Sequence, residues 1–215
     1  VRYDLPLFPL NLVLFPGTPV HLHIFEERYK QMVAYCQETG SPFGVVLIHS
    51  GLEALGPPAE PAEVGCSAQI AHVEALEQGR MNLVVLGQER FRIVALKHDR
   101  PYLMGEVEAL PMPLDDPPGL TQAQQRLSPW LERYVRQLSR GGPDVDFQRI
   151  AAEPLIYLNM AAMLLQIPLE QKQELLEVGD ALRFADELRV IYRREVALLG
   201  SLMREADDQV AFSRN

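Results

Sequence analysis

Lysine, cysteine, tryptophan and long apolar runs are all scarce in this chain of 215 residues, and each scarcity removes a class of chemistry. The lysines are Lys30, Lys97 and Lys172, and no glycine is followed by lysine. A phosphate-cradling loop needs a glycine-rich turn leading into Gly-Lys-Ser or Gly-Lys-Thr, so ATP hydrolysis through that motif is excluded. Cys36 and Cys66 lie far apart, which argues against a disulfide framework and against a Cys-x-x-Cys metal site. Two buried thiols in a cytoplasmic protein are the expectation, because no positively charged, apolar leader opens the chain. No apolar run approaches the roughly eighteen residues of a membrane helix. Gly-x-Ser-x-Gly and His-Glu-x-x-His are also missing, so no catalytic residue is assigned and neither a metal nor any other cofactor is expected.

What is present points to a folded globular protein. The hydrophobic share of 47% is ordinary, and the length suits one large domain or two small ones. The formal charge of -9 is spread evenly, with 8 basic and 13 acidic side chains in residues 1–112 and 12 and 16 in residues 113–215. Polyanions are gripped by clustered Lys and Arg, so nucleic acid is a poor partner for this chain.

Four prolines and a glycine in residues 111–120 mark a boundary, and the hydrophobic period changes across it. Before it, Leu5 to Phe15 reads as a strand buried on both faces that enters at a sheet edge, and Pro16-Gly17 turns the chain. Val20, Leu22 and Ile24 alternate with His21, His23 and Phe25 in a second strand. Tyr29, Met32, Val33 and Cys36 fall at helical spacing and predict a helix over Glu26 to Glu38 that stops at Gly40. Further strands are expected at Phe43 to Ile48, Gly65 to Leu76, Met81 to Leu86, Phe91 to Leu96 and Tyr102 to Leu110, with a loop from Ser50 to Glu63 and a hairpin at Glu77-Gln78-Gly79-Arg80. After the boundary, apolar stripes predict helices over Leu127 to Leu138, Leu155 to Leu165 and Glu170 to Glu177. A last helix, capped by Asp180, carries a stripe of Phe184, Leu188, Ile191, Leu198 and Leu202 that reads as core.

The expected fold class is α+β. A β-rich subdomain with one helix and about six or seven short strands spans 1–112, a proline-rich linker 113–120, a helical bundle 121–206 and a frayed tail 207–215.

These passages stand in a familiar order. Leu5-Pro6-Leu7-Phe8-Pro9-Leu10, Leu14-Phe15-Pro16-Gly17 and Ile24-Phe25-Glu26-Glu27-Arg28-Tyr29 resemble the opening of the N-terminal, substrate-binding domains of Lon-type ATP-dependent proteases. Gly65 to Ile70, Leu86 to Ile93, Pro101-Tyr102-Leu103 and Lys172 to Glu177 are similar to later parts of that family, so the resemblance runs from about residue 4 to about residue 203. It implies a PUA-like β-rich part joined to a helical part, in a stand-alone form without ATPase and peptidase modules. The implied role is a non-catalytic one: binding unfolded or tagged polypeptides as an adaptor or holding factor, with a protease or chaperone as a further partner. Arg90 and Arg92 flank Phe91 and share the opposite face of its strand, where one of them is expected either to anchor the fold through a carboxylate or to be solvated, and the resemblance favours a structural part for Arg90.

A receptor for unfolded chains needs an accessible apolar surface with few charges at its centre. Phe15, Pro16, Phe25 and Tyr29, around the proline-rich opening, are the candidate protein-binding residues. His21 and His23 share one face of their strand, but no third metal ligand is evident. RNA binding on a PUA-like fold, which the acidic charge opposes, and a small-molecule or hydrolytic function in a cleft between the subdomains stay open as alternatives.

Overall fold

The computed structural model describes residues 1–50, 60–139 and 153–212, apart from the side chains of Ser50 and of 203–212. The chain forms two compact units: Val1–Met112 with Ala162–Gly179, and Pro113–Ala161 with Asp180–Asn215.

The first unit is built on seven strands: β1 (Arg2–Leu10), β2 (Pro19–Ile24), β3 (Phe43–Ser50), β4 (Glu60–Pro61), β5 (Val64–Ala75), β6 (Met81–Lys97) and β7 (Leu103–Ala109). Helix α1 (Glu27–Thr39) follows β2 and ends at Gly40, whose φ of 68° lies in the left-handed region where glycine carries no Cβ penalty. The strands pair in the order β1-β7-β6-β5-β3-β4, and β1 also pairs in parallel with β3, so the ladder closes on itself. At Leu7 the first strand has partners on both sides, Leu103 of β7 and Gly44 of β3. Pro6 falls where only the β7 pairing is present and Pro9 where only the β3 pairing is present, so neither imide interrupts a two-sided ladder. The entry of β1, up to Pro6, thus has β7 as its one strand partner among the described residues, as the expected edge position requires, and the strand closes onto β3 from Leu7 onward.

Closure explains why β1 is apolar on both faces. Leu5 and Leu7 join Val46, Phe91 and Val107 in one core, whereas Phe8 and Leu10 join Tyr29, Met32 and Val33 of α1 in a second. The first core is tight around Phe91. A Cβ added at Gly44 would sit 2.5 Å from the Phe91 ring, and one at Gly65 2.7 Å from it. These glycines are the space that the aromatic ring fills.

The two strands expected at Met81 to Leu86 and Phe91 to Leu96 are one, β6. Gly-Gln-Glu-Arg reads as a break because it is polar and contains glycine, yet what changes there is the neighbour. β6 pairs with β2 up to Leu86 and with β7 from Phe91 onward. Between them Gly87 exchanges backbone hydrogen bonds with the turn that precedes β2: Gly17 N–H donates to Gly87 O at 2.8 Å and Gly87 N–H donates to Thr18 O at 3.0 Å. A Cβ on Gly87 would lie 2.3 Å from Phe15 O. Residues 51–59 of the expected loop lie outside the described residues, and Glu60–Pro61 is a short strand.

Arg90 is buried and ties a helix to this unit. Its Nη1 donates to Leu176 O at 2.8 Å and to Val178 O, and Nη2 donates to Pro111 O at 3.3 Å. Helix α4 (Leu169–Glu177), whose predecessor α3 spans Pro154–Leu164, thus has its terminal carbonyls met by a cation, as its dipole favours. The anchor expected to be a carboxylate is a set of backbone carbonyls. Gln173 of α4 adds a hydrogen bond from Nε2 to Val64 O at 2.9 Å.

In the second unit, α2 (Pro117–Leu138) begins inside the segment expected to be a linker. Proline is tolerated in the first helical turn, and the Asp116 carboxylate caps the helix by accepting from Gly119 N at 2.9 Å. Asp180 caps α5 (Ala181–Phe212) in the same way, accepting from Arg183 N at 2.7 Å. The expected frayed tail is helical to Phe212, and residues 213–215 lie outside the described residues. Tyr134 of α2 meets Tyr192 of α5 edge-on at 5.2 Å, and the Tyr192 hydroxyl donates to Ala161 O at 2.8 Å. The buried face of α5 runs through Phe184, Leu188, Tyr192 and Val196, while Leu198 and Leu202 of the expected core stripe are exposed. Among the described residues no helix is long and apolar enough to cross a membrane.

Candidate functional site

The turn Phe15-Pro16-Gly17-Thr18 sets the position of β2. Pro16 fixes φ at the second turn position and Gly17 takes φ 74° at the third, while Phe15 O accepts from Thr18 N at 3.2 Å and from Thr18 Oγ1 at 2.7 Å. Among the described residues β2 pairs with β6 alone, so its other backbone edge has no strand partner. Along β2 the side chains alternate as read from the sequence: Leu22 and Ile24 are buried, and His21 and His23 are exposed.

Cross-strand register puts polar groups in two rows on the outer face. His21 stands opposite Val84, which stands opposite His72, and His23 stands opposite Asn82, which stands opposite Glu74. In the second row Asn82 Nδ2 donates to Glu74 Oε2 at 2.8 Å, and His23 Nδ1 lies 2.8 Å from Asn82 Oδ1. A carboxylate can only accept, so the Asn82 amide nitrogen must face Glu74 and its oxygen must face His23. That assigns the proton to His23 Nδ1 and leaves Nε2 directed away from the row. The three histidines and Glu74 line a concavity of about 360 Å³ over Leu22, Leu83 and Val84.

A second concavity of about 350 Å³ adjoins it and is mostly apolar, with Phe8, Leu10, Leu12, Ile24, Phe25 and Tyr29 in its wall. Phe25 is 56% exposed and its ring stacks on His23 with centroids 6.0 Å apart. The charges at this rim are held in place: Glu26 pairs with Arg28 at 2.9 Å, and the Arg28 guanidinium lies 4.5 Å over the Tyr29 ring.

Of the four candidate residues, the structure brings Phe25 and Tyr29 to this concavity and leaves Phe15 and Pro16 outside it. Phe15 is 1% exposed and Tyr29 is 5% exposed, so both chiefly fill the core, and Pro16 is half-buried. Phe25 is the one large aromatic of the four that meets solvent, because the strand period turns it outward just before α1 begins. Sequence reasoning missed Glu74 and Asn82. The hairpin centred on residues 77–79 could have paired them, whereas His23 reaches them across 59 residues through a pairing no local signal announces. Among the described residues no three His, Cys, Asp or Glu side chains are grouped so as to hold a metal ion. Both thiols are buried and free; burial pushes Cys36 up to about 11 and Cys66 up to about 12, so neither is a ready nucleophile.

Comparison with known proteins gives a consistent result. A family model described as the ATP-dependent protease La (LON) substrate-binding domain matches residues 4–183. The chain is 25% identical over 191 residues to a Lon protease of Porphyromonas gingivalis, covering 83% of this chain and 22% of that protein. It is also 25% identical over 182 residues to Lon protease 2 of Myxococcus xanthus, again covering 22% of that protein. The chain therefore spans about a fifth of the length of these curated relatives. Among solved structures, the Lon N-terminal domain protein from Xanthomonas campestris aligns with a TM-score of 0.62 at 30% identity, over 86% of this chain and 96% of that one. The N-terminal domain of the Mycobacterium avium complex Lon protease shares the fold, with a TM-score of 0.66 at 16% identity over 89% of this chain and 98% of that one. With the matched segment running from β1 into the start of α5, the chain belongs to the family of Lon substrate-binding domains.

Proposed function

We propose that this chain is a non-catalytic receptor for unfolded or tagged polypeptides. A client segment lies extended along the free edge of β2, with one apolar side chain against Phe25 in the adjoining concavity. The observation that supports this reading best is the coincidence of an unpaired strand edge with an exposed aromatic ring and an apolar recess at its end. Strand addition recognises the main chain, which every polypeptide has, and the recess adds a preference for apolar side chains. That combination suits a partner defined by being unfolded rather than by its sequence. The domain then acts as a holding factor or adaptor that presents clients to an ATP-driven protease, whether on the same chain or a separate one.

The test is binding of a labelled, permanently unfolded client such as reduced, carboxymethylated lactalbumin, read by fluorescence anisotropy. Phe25→Asp is expected to weaken binding about tenfold or more, as loss of an aromatic anchor does. Phe25 is largely exposed, so the fold survives the change. Absence of client binding by the unaltered chain would refute the function, and undiminished binding by Phe25→Asp would refute the site.

A further inference from the structure

The helical unit carries a groove that the β2 site does not use. It lies between α2 and α5, has a volume of about 700 Å³, and is walled by Trp130, Arg133 and Gln137 on one side and Val190, Arg193 and Ala197 on the other. Trp130 is the single tryptophan of the chain. Two guanidinium groups flank its ring, Arg133 at 5.6 Å and Arg193 at 5.5 Å from the centroid. Among the described residues neither arginine is paired with a carboxylate, although the chain as a whole is acidic and its other exposed arginines include several that pair, such as Arg183 with Glu187 and Arg2 with Glu106. Val190 is 62% exposed at the lip, and the buried Gln137 Oε1 lacks a donor among the described residues.

Cations held over an aromatic face, with apolar walls and an unmet backbone-type acceptor, define a ligand of matching chemistry. We infer that this groove is a docking site for an acidic polypeptide segment in which carboxylates alternate with aliphatic side chains. The carboxylates meet Arg133 and Arg193, an aliphatic side chain lies along Val190 and Ala197, and a backbone N–H of the segment donates to Gln137 Oε1. Arg133 and Arg193 favour a short acidic segment, whereas a second copy would bring a net charge of -9 against an equally charged chain. A nucleic acid is disfavoured because a small, largely apolar groove follows no phosphate backbone. Helix α5 from Phe184 onward lies beyond the segment that the family model matches, so half of this groove is built outside it.

Trp130 makes the site self-reporting. The full chain is titrated with the peptide acetyl-Asp-Glu-Leu-Asp-Leu-Glu-amide, its Lys-for-acid counterpart, and oligouridylate, with tryptophan emission as the signal. The acidic peptide is expected to give a saturable change whose Kd rises about tenfold between low and moderate salt, the lysine peptide none. Arg193→Glu and Arg133→Glu, both at exposed positions, are expected to raise that Kd about tenfold or more, and Phe25→Asp to leave it unchanged, which separates this site from the β2 edge. Equal response to both peptides, tighter binding of oligouridylate, or loss of the signal into self-association seen by sedimentation would each overturn the proposal.

Discussion

The two units present different things to a partner. In the β-rich unit two cores take up most of the large apolar side chains, and what is left without a strand partner is a backbone edge, that of β2, with Phe25 beside it. In the helical unit the backbone within each helix is paired along the helix, and what is left open is side chain: Trp130 between two arginines, then Val190, Leu198 and Leu202 along α5. A strand edge reads main chain and tolerates many sequences, whereas a groove of cations and aliphatic groups discriminates by charge. On the two proposals made above, general capture would belong to the sheet and selective docking to the helices.

The same contrast governs stability, and substitutions can break or sharpen it. The β-rich unit depends on long-range closure around one ring, so Phe91→Ala should have the largest effect, a loss of about 3–5 kcal/mol in urea unfolding. Gly44 and Gly65, which face the Phe91 ring, have no side chain to relax into the cavity. Arg90→Met comes next. It preserves the aliphatic stem but strips the donor from the carbonyls of Leu176, Val178 and Pro111, at a cost of about 1–3 kcal/mol. Burial already holds the pKa of the Arg90 guanidinium below its ordinary value, and the hydrogen bonds to those carbonyls offset that desolvation. Limited proteolysis should then show α4 released before the strands. Smallest is Leu198→Ser with Leu202→Ser, within about 0.5 kcal/mol of the unaltered chain, because neither leucine is in the core. A loss of several kcal/mol from that pair would mean that α5 is covered in solution.

How far the fold was legible follows from which physical signal each unit uses. Period two gave the inward and outward faces of β2 correctly, since alternation is a local property of the strand. It could not reveal that β6 is one strand with two successive neighbours, or that β1 closes onto β3, because partners are chosen across tens of residues. In the helical unit the start of α5 was legible from its cap at Asp180, whereas the start of α2 was not, because its prolines read as a linker. The buried face of α5 was legible at Phe184 and Leu188 and not beyond. A heptad reading passes through Ile191, Leu198 and Leu202, whereas the packed face steps by four through Phe184, Leu188, Tyr192 and Val196 and leaves the later leucines to solvent. The outward place of Phe25 was legible from its position after an alternating strand. The Trp130 groove was not legible, because Arg193 joins it from another helix, 63 residues further along the chain.

Amide hydrogen exchange of the full chain, with and without saturating reduced, carboxymethylated lactalbumin, tests the central claim most directly. Strand addition predicts slowed exchange in the β2 segment, residues 19–25, with α2 and α5 unchanged. Unchanged exchange at β2 alongside protection elsewhere would contradict the assignment of client capture to this edge.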